Sequence, residues 1–266
     1  MADSSVAIVI PCFNQRHFLS AAIESALDQT VAANEIIVID DGSTEDLSSV
    51  TSSYPQIELI RQENRGLAAA RNAGAKAATS DRLIFLDSDD RLLPDAVRRG
   101  LECFAAHPDA AFIYGACRIV QGKSQWSRFT AANSHLDLIR CNWIVCPASA
   151  MFDRSKLLVA GGFDETLGMC EDWDAFLRLS RAHPFAFHQE PVVLYFKHGS
   201  NMSNDEAELL RWVEVVRQKE KARGLNEREL QAWEEGEAVW RSFYERRPDT
   251  LLRRLARKLR RWLIGR

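Results

Sequence analysis

The sequence predicts an α/β fold, a single doubly wound domain with a mainly parallel central sheet, followed by a helical C-terminal tail. Three observations predict it. Short β-branched apolar runs alternate with stretches of helical periodicity. Those runs are apolar at consecutive positions, as strands covered on both faces must be. They also stop abruptly at proline or aspartate, the punctuation of turns at strand ends.

The first such run is "VAIVIP", residues 6 to 11, closed by proline. Leu19, Ala22, Ile23, Ala26 and Leu27 follow at spacings of three and four, which is one face of a helix. "EIIVID" at 35 to 40 is the next buried strand, ended by "DGST", and the separation suits a parallel crossover. The unit repeats through "IELI" at 57 to 60, the Ala-rich helix "RGLAAARNAGAKAAT", and "RLIFL" at 82 to 86. A helix is expected from Pro94 to about Ala106, then a strand at "AAFIYG" and a hairpin through "CRIVQGKSQWSRF". "NWIVCPASAMFDR" reads as loop and strand, and "GGFDETLG" as a glycine-permitted turn. "EDWDAFLRLSRA" is a helix whose acidic first turn suits the helix dipole, and "VVLYFKH" is a last strand. From about Asp205 long charged helical stretches take over. The expected boundary lies near 204, with residues 1–204 forming the sheet domain and 205–266 a helical extension.

At 266 residues and 46% hydrophobic content the chain can bury a full core, and its net charge of -3 argues against nucleic acid as a partner. No basic segment leading into an apolar one opens the chain, and no run of eighteen apolar residues occurs, so a cytoplasmic protein is expected. The six cysteines show no CxxC pair and no zinc spacing, and are read as reduced structural thiols.

The strand ends carry the chemistry. In a doubly wound sheet ligands bind beyond the carboxyl ends of the strands, and Pro11, Asp40, Asp41 and the cluster Asp87, Asp89 and Asp90 fall there. Any one acidic turn is ordinary. Two of them, "DDGS" and "DSDD", on the same side of one sheet suit a hard divalent cation, Mn²⁺ or Mg²⁺, with a phosphorylated ligand completing its coordination. Neither G-x-G-x-x-G nor G-x-x-x-x-G-K-[ST] is present to explain a nucleotide otherwise.

Taken in order, "VAIVIPCFNQ", "IIVIDDGSTED", "NRGLAAARNAG", "RLIFLDSDD", "GGFDE", "EDWDAFLRL" and "YFKHGSNMS" resemble the family 2 glycosyltransferases of the GT-A, Rossmann-like fold, over roughly residues 4 to 204. The resemblance implies an inverting transferase that moves sugar from a nucleoside diphosphate sugar, most often a UDP-sugar, to an acceptor hydroxyl. By the same resemblance Pro11, Cys12, Phe13 and Asn14 contact the nucleotide, Asp41 reads its base, and Arg71 lies near it. Asp87 is implied at the ribose or metal, with Ser88 beside it, and Asp89 on a metal that bridges the donor diphosphate. His198 is implied near that metal or diphosphate, and Asp172 as general base toward the acceptor. Asp90 is expected to cap the following helix and Asp174 to be solvated or capping. Trp173 is expected in the core, and Trp143 is a candidate for lining an acceptor sugar.

The Q-x-x-R-W motif of processive synthases is missing after His198, which points to transfer of a single sugar. A saccharide or lipid-linked acceptor, in assembly of a bacterial surface polysaccharide or lipopolysaccharide, is the expectation. Two alternatives stay open: a sugar-nucleotide-binding module without transfer, and a haloacid-dehalogenase-type phosphotransferase, which would carry its DxD on the first strand. Finally, "LLRRLARKLRRWLIGR" groups Leu251, Leu252, Leu255, Leu259, Trp262 and Leu263 on one helical face, with arginines and Lys258 around the rest. Such a basic amphipathic helix suits an anionic membrane surface, as a peripheral attachment to the inner face.

Overall fold

The computed structural model describes residues 4–129 and 131–245. The N-terminal half runs β1 (Val6–Cys12), α1 (Arg16–Leu27), β2 (Glu35–Asp40), a single turn α2 (Ser48–Thr51), β3 (Glu58–Arg61), α3 (Leu67–Ala77) and β4 (Arg82–Phe85). It continues with β5 (Arg91–Leu92), α4 (Ala96–Ala106), β6 (Phe112–Gln121), β7 (Ser124–Arg128), α5 (His135–Arg140), β8 (Ala150–Asp153), α6 (Arg154–Val159), α7 (Glu171–Ala182) and β9 (Ala186–Phe196). Two longer helices, α8 (Glu206–Ala222) and α9 (Glu227–Glu245), follow.

The strands form one sheet in the order β3-β2-β1-β4-β8-β6-β9-β5, with β7 added onto β6 as a hairpin. The block β3-β2-β1-β4 is parallel throughout. Beyond it β8 runs antiparallel to both β4 and β6, while β6 and β9 pair in parallel. The reversal has a topological cause. β6 leads into a hairpin and the six-residue α5, so no crossover helix carries the chain back to the starting edge before it re-enters as β8.

Strand residues alternate between two apolar layers, as period two requires. Ala7, Val9, Ile37, Ile39, Leu83 and Phe85 face the layer shared with α3 and α7. Ile8, Ile10, Ile36, Val38, Ile84 and Leu86 face α1 and α4. The first layer is rich in aromatics: Phe152 stacks on Phe176 at 5.4 Å between centroids, and Phe85 meets Phe163 edge-on at 4.8 Å. α3 can lie close to the sheet because it is built of small residues. A Cβ added at Gly74 would come within 2.2 Å of Val9 Cγ1.

The order of strand addition reverses at β1, which has β2 on one side and β4 on the other. Pro11 has a definite effect there. Val9 O accepts from Leu86 N at 2.9 Å on the β4 side, and Pro11, two residues on, would have turned its N–H to that same side. Proline has none, so β1 and β4 part at their carboxyl ends and leave a crevice.

α8 packs on α7 and α9 on α5, with Val213, Val216 and Ala232 joining the aromatic layer. The basic stretch at 250–266 lies outside the described residues.

Candidate active site

The donor-side wall is made by the ends of β1 and β2. Pro11 and Cys12 are buried, and burial pushes the Cys12 thiol up to about 11. Phe13 and Asn14 are exposed. Asn14 takes a left-handed backbone, φ 53°, which asparagine tolerates better than most residues. Its Oδ1 accepts from the N–H and Oγ1 of Thr44 at 2.9 and 3.0 Å, and its own N–H donates to Ser43 Oγ at 3.0 Å. The two strand-end loops are thereby locked to each other. Asp40 caps its own turn by accepting from Ser43 N at 2.8 Å.

Asp41 is buried and uses both carboxylate oxygens on its own chain. It accepts from Gln62 Nε2 at 2.7 Å, Arg65 N at 3.0 Å and Gly66 N at 2.9 Å. The carboxylate thus shapes the loop 62–66 that leads into α3. Gly42 allows that closeness: its φ is 77°, and a Cβ there would lie 2.7 Å from Asn64 N.

At the end of β4 the four residues of "DSDD" diverge. Asp87 Oδ1 accepts from Arg71 Nη2 at 2.7 Å. Ser88 is buried and donates to the Gln15 side-chain carbonyl. Asp89 Oδ2 lies 3.0 Å from His198 Nε2, joining the "DSDD" turn to the loop after β9, while His198 Nδ1 lies 2.9 Å from Ser200 Oγ. Burial and the neighbouring Asp87 raise the proton affinity of Asp89, against the pull of His198. Asp90 does not cap a helix. Its turn runs into β5 and α4 starts only at Ala96, so Asp90 is buried and accepts from Phe196 N at 3.0 Å, while its other oxygen has no hydrogen-bond partner.

The opposite wall is the start of α7. Cys170, just before it, is the second non-glycine residue with positive φ, at 63°, a conformation that costs roughly 1–3 kcal/mol and is worth noting where it turns "EDWD" into the crevice. Glu171 is buried and ion-paired with Arg71. Asp172 is half-buried. Its Oδ1 accepts from Trp173 N at 2.7 Å, and Asn142 Nδ2 donates to Oδ2 at 3.5 Å. Burial, then the adjacent Glu171, pushes its carboxyl up to about 7, against the opposing pull of Arg71.

Trp173 is in the core, where its Nε1 donates to Leu138 O at 2.8 Å. Trp143 is half-buried, packed on the apolar layer with Nε1 donating to Asp137 O. Asp174 is neither solvated nor a cap. It is fully buried and holds Arg178 at 2.7 Å and Arg223 at 2.6 Å, because its side of α7 faces α8 rather than water.

Two cavities flank these elements. The smaller, about 220 Å³, lies against Phe18, Ser88, Asp89, Asp90, Lys197 and His198. The larger, about 540 Å³, lies beside the "GGFDE" loop. The polar groups around it are already engaged with one another: Arg178 with Asp174 and the carbonyls of Ala160 and Gly162, and Asn72 with the backbone of Phe163. It is a joint between helices, whereas the smaller one is lined by Ser88, Asp89, Asp90 and His198 of the site.

Asp89 and His198 offer an oxygen and a nitrogen donor side by side, which suits a divalent cation whose other ligands are phosphate oxygens and water. Among the described residues no three His, Cys, Asp or Glu side chains form a metal-binding group by themselves. Sequence reasoning missed Glu171 and Asn142 as groups around Asp172, and missed the loop 62–66 as the partner of Asp41. Only the glutamate before Asp172 left a signal, as half of an acidic pair.

Residues 7–157 match the family described as Glycosyl transferase family 2. The chain is 28% identical to chondroitin synthase of Escherichia coli over 209 residues, which is 74% of this chain and 30% of that protein. It is 26% identical to an uncharacterized glycosyltransferase of Haemophilus influenzae over 228 residues, 80% of this chain and 76% of the other. Among solved structures, S. aureus TarS 1-349 in complex with UDP-GlcNAc superposes with a TM-score of 0.72 at 16% identity, over 86% of this chain and 70% of that one. The mannosyltransferase PcManGT from Pyrobaculum calidifontis, in complex with GDP-Man and Mn2+, gives 0.70 at 16% identity, over 89% and 70%. These likenesses show that the fold is GT-A-like. The chain spans under a third of the length of the bacterial chondroitin and hyaluronan synthases it matches.

Proposed function

Since the chain belongs to glycosyl transferase family 2, we propose that it transfers a single sugar, with inversion, from a nucleoside diphosphate sugar to an acceptor hydroxyl. One observation carries the reading: Asp87 and Glu171, from motifs more than eighty residues apart, are bound to the same guanidinium, so the "DSDD" and "EDWD" motifs form two walls of one crevice. Donor chemistry is supported by the solved neighbours, whose complexes hold UDP, UDP-GlcNAc or GDP-Man. A UDP-sugar is the donor we favour.

On this reading Phe13, Asn14 and the Asp41-shaped loop 62–66 bind the nucleotide, over the buried support of Pro11, Cys12 and Ser88. Asp89 and His198, with Asp87 nearby, would hold Mn²⁺ or Mg²⁺. When bound, the cation offsets negative charge on the departing diphosphate. Asp172 takes the proton of the acceptor hydroxyl. The acceptor oxygen then forms its bond to the anomeric carbon as the bond from that carbon to the diphosphate oxygen breaks, and attack opposite the leaving group inverts the centre. A carboxyl pushed up to about 7 suits this task, because it holds a proton well while remaining substantially ionised near neutral pH.

The acceptor we propose is a saccharide or lipid-linked saccharide of a bacterial surface polysaccharide. Among the described residues no helix is long and apolar enough to cross a membrane. The basic stretch at 250–266 is proposed to attach the protein peripherally to an anionic inner leaflet.

Thermal shift against a panel of nucleoside diphosphate sugars, with and without Mn²⁺, tests donor binding, because stabilisation rises with ligand occupancy. Asp172→Asn should keep the metal-dependent nucleotide shift and lose transfer by a hundredfold or more, roughly the contribution of a general base. Transfer undiminished in Asp172→Asn removes the base assignment, and release of inorganic phosphate without sugar transfer points instead to a phosphotransferase.

A further inference from the structure

Arg71 is buried to 1% exposure, yet it touches both walls of the crevice. From α3 its guanidinium gives Nη2 to Asp87 at 2.7 Å and Nη1 to Glu171, while its Cζ sits 5.6 Å from the centre of the Phe163 ring. Its Nε is buried without a hydrogen-bond partner. A planar fork with donors on two sides can tie together two carboxylates on different elements, which a lysine ammonium cannot do in the same geometry.

We propose that Arg71 is a positioning residue that ties the start of α7, and with it Asp172, to the donor-side strand end at Asp87. The inference rests on Asp172 being the base. It differs from a simple nucleotide contact, because here Arg71 acts on the acceptor side through Glu171.

Charge makes the idea measurable. The groups facing Asp172 are Glu171 and Cys170 at the start of its own helix, Arg71 from α3, and Asp87 from the end of β4. Asn142 adds a neutral amide. Glu171 strengthens the hold of Asp172 on its proton and Arg71 weakens it. Removing each charge should therefore move the acid limb of the pH–rate profile in opposite directions.

The test is transfer kinetics of Arg71→Gln and Glu171→Gln across pH 5.5 to 9. Arg71→Gln is expected to lower kcat by tenfold or more, with donor KM changed by less than about threefold, and to move the acid limb alkaline by about one pH unit, which is a further tenfold loss at low pH. Glu171→Gln is expected to move the limb acidic by a similar amount. A rise in donor KM alone in Arg71→Gln, with kcat and limb unchanged, overturns the proposal by making Arg71 a donor contact only. An unmoved limb in Glu171→Gln overturns it even if Arg71→Gln does not fold. Failure of the base reading is seen separately, as transfer retained by Asp172→Asn.

Discussion

At Asp172 two opposing influences are balanced within one turn of helix. Burial and Glu171 favour the neutral acid, Arg71 favours the carboxylate, and the outcome is a carboxyl pushed up to about 7. Because the base proposed at Asp172 must be ionised to act, kcat/KM is expected to fall about tenfold per pH unit below pH 7, a limb absent from any residual activity of Asp172→Asn. Asp174, two positions on, faces the other way and meets different physics. Fully buried, it neutralises Arg178 and Arg223, so Asp174→Ala leaves two arginines facing an emptied site and should cost about 3–5 kcal/mol. A urea unfolding midpoint lowered at unchanged slope would measure this. By local pattern the three acids of "EDWD" read alike as an acidic first turn. What makes Asp174 an anchor is Arg223, forty-nine residues away, whose approach no local pattern announces.

Elements in this fold are held by contacts of two kinds. α3 rests on β1 through small residues, and Gly74 has no room for a side chain: Gly74→Val would force Val9 or the helix to move, at about 1–3 kcal/mol, readable as a lowered melting temperature. α8 is held by charge. Burial would raise Glu220, but His135, 3.5 Å away, and hydrogen bonds from Arg181 and Arg223 prevail and hold it down at about 2. A carboxyl lowered from the usual 4.5 contributes stability that is present above pH 4.5 and lost as pH falls toward 2. At about 1.4 kcal/mol per unit this is about 3 kcal/mol. The wild-type melting temperature should therefore drop between pH 4.5 and 2.5, and drop less in Glu220→Gln, which starts lower. The strands and helices of the first half were legible because their patterns are local: consecutive apolar residues for strands, spacings of three and four for α1. The antiparallel entry of β8 was not, since "ASAMFDR" is equally compatible with either direction.

For the molecule as a whole, the two-walled crevice and the C-terminal extension raise the question of where transfer takes place. The sequence of 250–266 carries six large apolar residues, spaced as one face of a helix would require, and seven basic ones from 251 onward. Its length as a helix, at about 1.5 Å per residue, falls short of the roughly 30 Å hydrocarbon layer, so lying on the surface is the membrane use open to it. Deleting 250–266 is expected to abolish co-sedimentation with anionic liposomes at low salt while leaving donor binding intact. Sedimentation unchanged by the deletion would remove the membrane reading.

By itself the sequence determined the alternating strands and helices of the first half, the strand-end placement of Asp41, Asp87 and Asp89, and a resemblance sufficient to name the family. All of these depend on residues close together in the chain or on motifs in a fixed order. Tertiary structure alone decided that Arg71 is buried between Asp87 and Glu171, that Asp41 is spent on the loop 62–66, and that His198 meets Asp89. Those are contacts between groups 16 to 109 residues apart. The reason is physical: a buried charge takes whichever partner the packing brings to it, and packing is a property of the whole fold.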